Sequence, residues 1–481
     1  MNKLLVLLLV CSFGASAQNV FTIEEIIERA KAQSIFSKQA ETQRETSYWQ
    51  YRSYLTNYNP QLRLNGNFPT YANSVTPVRQ PDGTIQYLPL NQVNPNINFG
   101  LQQPIGLTGG VISANTSYNF FNDYIVDQRQ WSGTVLNVRL SQPLFAYNPL
   151  KWDRLIRPVI YEESKRVYVE ELERISSNAV GFFFDVLLQQ VNQQIASFNL
   201  ANNDTIYKIE QGRYNIGTTS QDKLLQVQLQ LLRSRQEVAQ AKLDLETARL
   251  QLRAYIGLKD GDLFELVLPD QIPQFEVSVD EALSYARQYR ADYIAFERRR
   301  LEAESEVAQA KGQRYQTTIN ASYGLNNVAP TVSELYTDPS RQQIADVSFN
   351  VPIVDWGRRK AMMKTALANK KLRDYEIEQS QILFEQEIIT KVNQFEMMRL
   401  QIEITKKSDE VAQERYMVAQ NRYLIGKIDI TNLNIALTEK DNAKRSYLQA
   451  LKSFWTAYYD LRRLTLYDFA SRQMLYTPEP E

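Results

Sequence analysis

Residues that could carry out enzymatic chemistry are few in this sequence of 481 residues. Histidine is absent, which excludes His-based triads, His general acid–base catalysis and His-ligated metal sites. Ser220 and Lys223 match the S-x-x-K motif of penicillin-interacting serine enzymes, but no S-D-N or K-T-G motif accompanies them. The glycines within 106–110 lack the Lys-Ser/Thr pair that completes a phosphate-binding loop. The sequence therefore predicts a protein that is not an enzyme and has no cofactor and no metal.

The only cysteine, Cys11, lies in a segment that is typical of a secretory signal peptide. Lys3 supplies its positive charge, residues 4–10 its apolar core, and residues 15–17 an A-x-A cleavage site. Residues 1–17 are therefore expected to be removed, which leaves an exported chain without thiol chemistry. Lipidation of Cys11 is the alternative interpretation, although Val10 is larger than the residue that a lipoprotein signal needs at that position.

Charge and hydropathy exclude two further classes of protein. Lys plus Arg and Asp plus Glu both number 54, and this balance argues against a nucleic-acid-binding surface. Beyond the signal, no run of about 18 apolar residues predicts a membrane-spanning helix. If the protein lies in a membrane, the sequence therefore predicts a closed β-barrel, because open sheet edges are not satisfied in lipid.

The chain is internally duplicated at a shift of 209 residues. Segment 138–145 (VRLSQPLF) aligns with 347–354 (VSFNVPIV), and 213–217 (RYNIG) aligns with 422–426 (RYLIG) without a gap. The predicted domains are therefore a first helix–strands–helix repeat at 18–270, a second at 271–470, and a C-terminal tail at 471–481.

Long helices dominate both repeats. Segments of about 149–215 and 357–424 are rich in good helix formers and predict two helices of roughly 100 Å, the first started late or kinked by Pro158. Shorter helices are expected at about 220–257 with 279–312, and at 429–466 with 22–57; each pair sums to roughly 110 Å. Leucine and valine recur every seven residues from Leu224 to Leu252, which favours coiled-coil contact.

Alternating segments between the helices predict β-strands with one apolar and one polar face. The expected strands are 62–68, 97–102, 111–121, 136–141, 318–325 and 347–353, with a hairpin turning at 106–110. This gives three or four strands in the first repeat and two in the second. A cyclic trimer would pool about twelve wall strands if each chain gives four. A soluble β-sandwich is the alternative for these strands taken alone.

The ordered motifs resemble the TolC-like outer-membrane efflux proteins. They are SQPLF at 141–145, VPIVDWGRR at 351–359, RYNIG at 213–217 and RYLIGKIDITNL at 422–433. The resemblance implies an α+β membrane protein: duplicated α-helical coiled-coil hairpins form a periplasmic tunnel, and transmembrane strands complete a trimeric, twelve-stranded barrel. It places Pro143, Pro352 and Trp356 at strand–helix junctions. It also implies a periplasmic adaptor and an inner-membrane pump as partners.

The same resemblance places the Y-x-x-G turns at the periplasmic tip of the tunnel. The residues expected to dock the adaptor are Arg213, Tyr214, Gly217, Arg422, Tyr423 and Gly426. The residues expected to contribute to a gate are Asp222, Lys223, Tyr423, Asp429 and Asn432. Asn432 and Ile435 stand where the family has acidic rings, so a weaker cation filter is expected.

The function that follows is an outer-membrane exit duct of a tripartite efflux or type I secretion system, which conducts substrates passively. The alternative is a soluble periplasmic coiled-coil adaptor or structural protein, which would need no lipid-facing strands.

Overall fold

The computed structural model describes residues 19–258, 264–269, 271–313 and 316–477. The predicted signal peptide, with Cys11, lies outside the described residues. Contacts divide the chain into two compact units. We call them the helical unit, with residues up to 44, 165–291 and from 382 onward, and the sheet unit, with 45–164 and 292–381. Each predicted repeat contributes to both units, and the repeat boundaries stay a prediction.

The two long helices have almost the predicted bounds. They are α3, Pro149–Asn215, and α7, Arg358–Leu424, each with 67 residues. Pro158 lies inside α3, so the expected late start was wrong. Pro149 already has the backbone angle of a first helical turn, and an interior proline removes a single backbone hydrogen bond from a helix of this length. Helices α4, Gln221–Ile256, and α8, Ile430–Thr465, confirm the predicted returns.

The two remaining predicted helices are each divided at equivalent positions of the two repeats. Ser34 separates α1, Ile23–Gln33, from α2, Ile35–Thr56, and Arg290 separates α5, Val279–Tyr289, from α6, Ala291–Gly312. Ser34 and Arg290 have extended ψ angles of 149° and 145°. In the part of the chain that the structure describes, no helix is both long enough and apolar enough to cross a membrane.

The strands are numbered β1 to β12 in chain order. They are Asn19–Phe21, Gln61–Asn67, Tyr71–Arg79, Ile85–Val93, Asn96–Ile105, Gly110–Asp123, Gln128–Leu144, Phe264–Leu266, Gln316–Ala329, Ser340–Asn350, Tyr467–Asp468 and Gln473–Met474. In the helical unit β1 pairs with β8 in parallel, and β11 pairs with β12. The other eight strands form one antiparallel sheet in the sheet unit.

The large sheet consists of six ribbons, each of which is either a single strand or two successive strands that continue in the same direction. Strands β2 and β3 follow each other in one long hairpin with β4 and β5, because Asn67 lies opposite Asn96 and Tyr71 opposite Val93. Strands β4 and β5 also share one register against β6. The order of ribbons is therefore β2/β3, β4/β5, β6, β7, β9 and β10.

The first repeat contributes four ribbons, the upper predicted figure, and the second contributes two. All six predicted strands are present, including the hairpin turn between β5 and β6. The outer extension, β3 and β4, was not predicted because Pro77 and Pro89 interrupt its alternation; Pro77 lies opposite Tyr87 and Pro89 opposite Val75. Strand β10 ends at Asn350, short of the predicted residue 353, since Pro352 restricts the residue before it and lacks a backbone donor.

The register gives this sheet one apolar and one polar face. Exposed apolar side chains share the first face across every ribbon: Leu62, Leu64, Ile97, Phe99, Leu101, Ile112, Val138, Leu140, Tyr323, Val347 and Phe349. The opposite face carries polar side chains: Arg63, Asn65, Asn98, Gln102, Ser113, Asn115, Arg139, Ser322, Asp346 and Ser348.

A buried ion network joins helices within the helical unit. Arg462 of α8 donates from Nε to Glu173 Oε2 of α3 at 2.8 Å, and from Nη1 to Asp468 Oδ2 at 3.1 Å. Lys31 of α1 donates to the other Glu173 oxygen at 3.0 Å. Because the Glu173 carboxylate is buried, these cations supply the partners that its charge requires.

Candidate functional site

The two helix-to-helix turns of the helical unit have the same backbone geometry. Gly217, after α3, has φ 76°, and Gly426, after α7, has φ 73°, a left-handed conformation that favours glycine at helix ends. The Gly217 amide donates to the Tyr214 carbonyl at 2.9 Å, and the Gly426 amide donates to the Tyr423 carbonyl at 2.9 Å. The duplication seen in the sequence therefore extends to individual hydrogen bonds.

The returning helices are capped at equivalent positions. Ser220 Oγ accepts from the Lys223 amide at 3.4 Å at the start of α4. Asp429 Oδ1 accepts from the Asn432 amide at 2.8 Å and from its side-chain Nδ2 at 2.8 Å at the start of α8. Four predicted gate residues, Asp222 included, thus lie in or beside these first turns, and Asp429 and Asn432 are bonded to each other.

The two tip tyrosines lie in opposite environments. Tyr214 is 40% exposed, whereas Tyr423 is only 3% exposed. Tyr423 packs in an apolar cluster with residues from all four long helices: Ile206, Val227, Tyr416, Ile430, Leu433 and Leu437. Its hydroxyl donates to Glu210 Oε1 of α3 at 2.8 Å. The hairpin of the second repeat is therefore fixed to α3 through its tyrosine.

Glu210 connects Tyr423 to Arg213. Arg213 Nη1 donates to Glu210 Oε1 at 2.7 Å, and its guanidinium carbon lies 5.6 Å from the centre of the Tyr423 ring. Burial alone would raise the pKa of the Glu210 carboxyl, but the hydrogen bonds from Tyr423 and Arg213 outweigh burial and lower its pKa. Burial, followed by the bond to Glu210, raises the pKa of Tyr423, so its hydroxyl stays protonated as a donor at neutral pH.

Further polar contacts join the same helices on the side of the cluster away from the turns. Asn202 of α3 donates from Nδ2 to the Tyr416 hydroxyl at 2.6 Å and accepts from Gln420 Nε2 at 3.1 Å. Asn203 donates to Ser234 Oγ of α4 at 2.7 Å in a buried position. Such bonds fix the helix register because a buried amide left without a partner is costly.

The structure brings some of the predicted tip residues together and leaves others apart. Arg213 and Tyr423 meet through Glu210, whereas Tyr214 and Arg422 are exposed. Glu210 was not predicted. The available signal was its spacing of three residues from Arg213, together with the loss of duplication there, since the second repeat has Ala419 at the equivalent position.

The predicted junction residues lie in the sheet unit. Pro143 is within β7, opposite Thr318, whereas Pro352 lies beyond the end of β10. Trp356 has φ 51° and is 96% exposed. The Asp355 carboxylate accepts from the Gly357 amide at 3.0 Å and from the Arg359 amide, in the first turn of α7, at 3.3 Å. Within the described ranges, no group of three or more acidic side chains could hold a metal ion.

Comparisons with known proteins agree with this architecture. The sequence profile described as "outer membrane efflux protein" matches residues 27–258 and 275–465. No curated protein matches the sequence. Among solved structures, the CmeC outer membrane channel of Campylobacter jejuni has 16% identity over 92% of this chain and 85% of its own, with a TM-score of 0.65.

Two further solved structures have the same fold. VceC, an outer membrane protein of Vibrio cholerae, has 15% identity over 92% of this chain and 95% of its own, with a TM-score of 0.65. The MtrE outer membrane channel of Neisseria gonorrhoeae, in its open state, has 16% identity over 92% of this chain and 88% of its own, with a TM-score of 0.61. Since the family profile covers most of its length and the fold agrees, this chain belongs to the outer membrane efflux protein family.

Proposed function

We propose that three copies of this chain form an outer-membrane exit duct with a helical periplasmic extension. The duct serves a tripartite efflux or type I secretion system and conducts substrates passively, while a partner pump supplies the energy. The observation that carries this proposal is the sheet of the sheet unit, which has one apolar face, one polar face and two open edges.

The two faces suit a wall between lipid and water. Exposed apolar side chains on every ribbon would contact acyl chains, and the polar side chains opposite would line the water-filled lumen. Exposed aromatic residues flank this band, with Phe145 and Trp356 at the ends of the strands near the helices and Tyr71 and Tyr124 towards the other ends. Aromatic residues at both ends of an apolar band are typical of the two membrane interfaces.

Two helices of the helical unit carry apolar stripes that a single chain leaves exposed. The stripe of α4 consists of Leu225, Leu229, Leu232, Leu243 and Leu250. The stripe of α7 consists of Met397, Leu400, Ile404, Val411 and Val418. Both follow heptad spacing, which is the pattern that packs one helix against another. Neighbouring copies of the chain are the partners that we assign to these stripes.

The tips are where we place the contact with a periplasmic adaptor. Ile216 and Ile425 occupy equivalent positions in the two turns and are 75% and 66% exposed. They lie beside the exposed side chains of Tyr214 and Arg422, so each tip combines an apolar residue with a hydrogen-bonding one. Such a surface suits a partner protein, because tyrosine and arginine are enriched among the residues that contribute most of the binding energy in protein interfaces.

We place the gate at the Tyr423–Glu210–Arg213 cluster rather than at Asp429 and Asn432. The hydrogen bond from Tyr423 to the Glu210 carboxylate joins the second hairpin to α3, and Arg213 of α3 bonds to the same carboxylate, so breaking the Tyr423 bond would loosen the tip of that hairpin. The side chains of Asp429 and Asn432 are instead bonded to each other at the start of α8. The alternative function, a soluble adaptor, gives no role to the apolar sheet face.

Purified protein in detergent or nanodiscs tests the duct. Native mass spectrometry should give three chains, and planar bilayers should show ion conductance. Val347→Arg on the apolar face should reduce insertion, because arginine on a lipid-facing position of a barrel strand is destabilising. Ser348→Arg, one residue further on the polar face, is the matched control and should insert normally. A soluble monomer without conductance would overturn the proposal.

A further inference from the structure

The strand count of the sheet points to an unusually wide barrel. Resting on the proposed trimeric duct, we infer that all six ribbons of each chain lie in the membrane wall, so that three copies close a barrel of eighteen strands. Twelve strands would require only four ribbons from each chain. The question is therefore whether the first two ribbons, β2/β3 and β4/β5, belong to the wall.

The hydrogen-bonding ladder places them there. A wall made of β6, β7, β9 and β10 alone would need a free edge on β6. Strand β6 is instead paired on both sides: with β7, and with β5 from Asn96 opposite Asn119 to Ile105 opposite Gly110. Freeing that edge for the β10 strand of a neighbouring copy would break the ten-residue β5 ladder and leave the backbone groups of β5 without these partners.

The side chains of the first two ribbons lead to the same conclusion. Leu64 of β2 lies opposite Phe99 of β5, and Leu62 lies opposite Leu101. All four side chains are exposed, and they continue the apolar face of the other four ribbons. Asn65 and Asn98, also opposite each other, continue the polar face. A hairpin that folded into the lumen or lay outside the membrane would not need apolar and polar faces aligned with those of the wall.

The two free edges are suited to pair with each other between copies. In the described part of the chain, β2 pairs only with β5, and β10 pairs only with β9. All neighbours in the sheet are antiparallel, so with six ribbons β2 and β10 point in opposite directions. A β10 strand of one copy would therefore meet the β2 strand of the next in antiparallel orientation, and closure leaves no edge facing lipid.

The consequence for transport is a wider outer-membrane section. With strands about 4.8 Å apart and tilted by about 40°, a barrel of eighteen strands has a backbone diameter of about 36 Å, compared with about 24 Å for twelve. After subtracting side chains, the wall of this duct admits bulkier solutes than a twelve-stranded one. The size limit would then lie at the helical tips rather than in the membrane.

Disulfide cross-linking between copies tests which strand is the edge, since Cys11 is the only native cysteine. Leu64→Cys in β2 is combined in turn with Ala345→Cys, Val347→Cys or Phe349→Cys in β10, which allows for stagger between copies. The control series places the first cysteine at Ala114 of β6 instead. Two ribbons, β7 and β9, lie between Ala114 and Val347 within one chain, and the three strand spacings amount to about 14 Å, which is too far for an intrachain disulfide.

The expected result is covalent dimers and trimers in at least one Leu64→Cys combination and none in the Ala114→Cys series. Dimers formed through Ala114→Cys would overturn the inference. An electron-microscopy reconstruction of the unmodified trimer in nanodiscs decides independently of the variants: eighteen strands support the inference and twelve overturn it. A conducting trimer with twelve strands would refute only this inference, whereas a monomer without conductance would refute the duct itself.

Discussion

Removing one hydroxyl, in Tyr423→Phe, should loosen the tip of the second hairpin. The ring keeps its place in the apolar cluster, while Glu210 loses the hydrogen bond from Tyr423 and retains the bond from Arg213 at 2.7 Å. A hydrogen bond to a charged group contributes about 1.5–3 kcal/mol. Local separation of α7 from α3 should therefore become about ten- to hundredfold more frequent in the variant.

Hydrogen–deuterium exchange of the purified protein measures this opening, because exchange of protected amides follows the local opening equilibrium. Peptides covering 206–213 and 416–424 should exchange faster in the variant by that factor, while peptides in the sheet unit should be unchanged. Tyr214→Phe is the matched control, since it removes the equivalent hydroxyl from an exposed ring. Equal exchange in the two variants would refute the role assigned to the bond between Tyr423 and Glu210.

Three further predictions concern charge, backbone and burial. The pKa of the Glu210 carboxyl is lowered from 4.5, so the stabilisation from its carboxylate is present above pH 4.5 and is lost as the pH falls through the lowered pKa. Hydrogen–deuterium exchange at the tip should therefore rise at that acidic pH, and Glu210→Gln should abolish this pH dependence. Gly426→Ala should lower the unfolding free energy by about 1 kcal/mol, and Gly217→Ala by a similar amount, measured by chemical denaturation, because both positions have positive φ. Arg462→Met should cost about 3 kcal/mol in the same assay, since it leaves the buried Glu173 with Lys31 as its remaining cation; a loss below 1 kcal/mol would contradict the buried network.

The ends of the long helices could be predicted from the sequence because their signals are local. Gly217 and Gly426 stop two helices, and Ser220 and Asp429 start the next two, all within a few residues. The divisions at Ser34 and Arg290 could not be predicted in this way. The amide of Ala291, just after the second division, donates to Glu170 Oε1 of α3 at 2.8 Å, a contact that spans 121 residues of sequence.

The same contrast applies to the candidate site. The tip motifs could be recognised in the sequence because both repeats contain them. Glu210 contributes instead through its hydrogen bond with Tyr423, a residue 213 positions away in the sequence. This contact depends on how α3 packs against α7, and the hydrophobic periodicity of the sequence does not predict that packing. In the sheet, alternation revealed the six strands that have a continuous apolar face, and prolines concealed the extension formed by β3 and β4.

The different burial of Tyr214 and Tyr423 has a consequence for a ring of three chains. Such a ring would present six turns of nearly identical backbone shape, yet the tyrosine ring would be buried beside three of them and exposed beside the other three. A partner that recognises backbone shape alone would find six equivalent positions, whereas a partner that contacts the tyrosine rings would find only three.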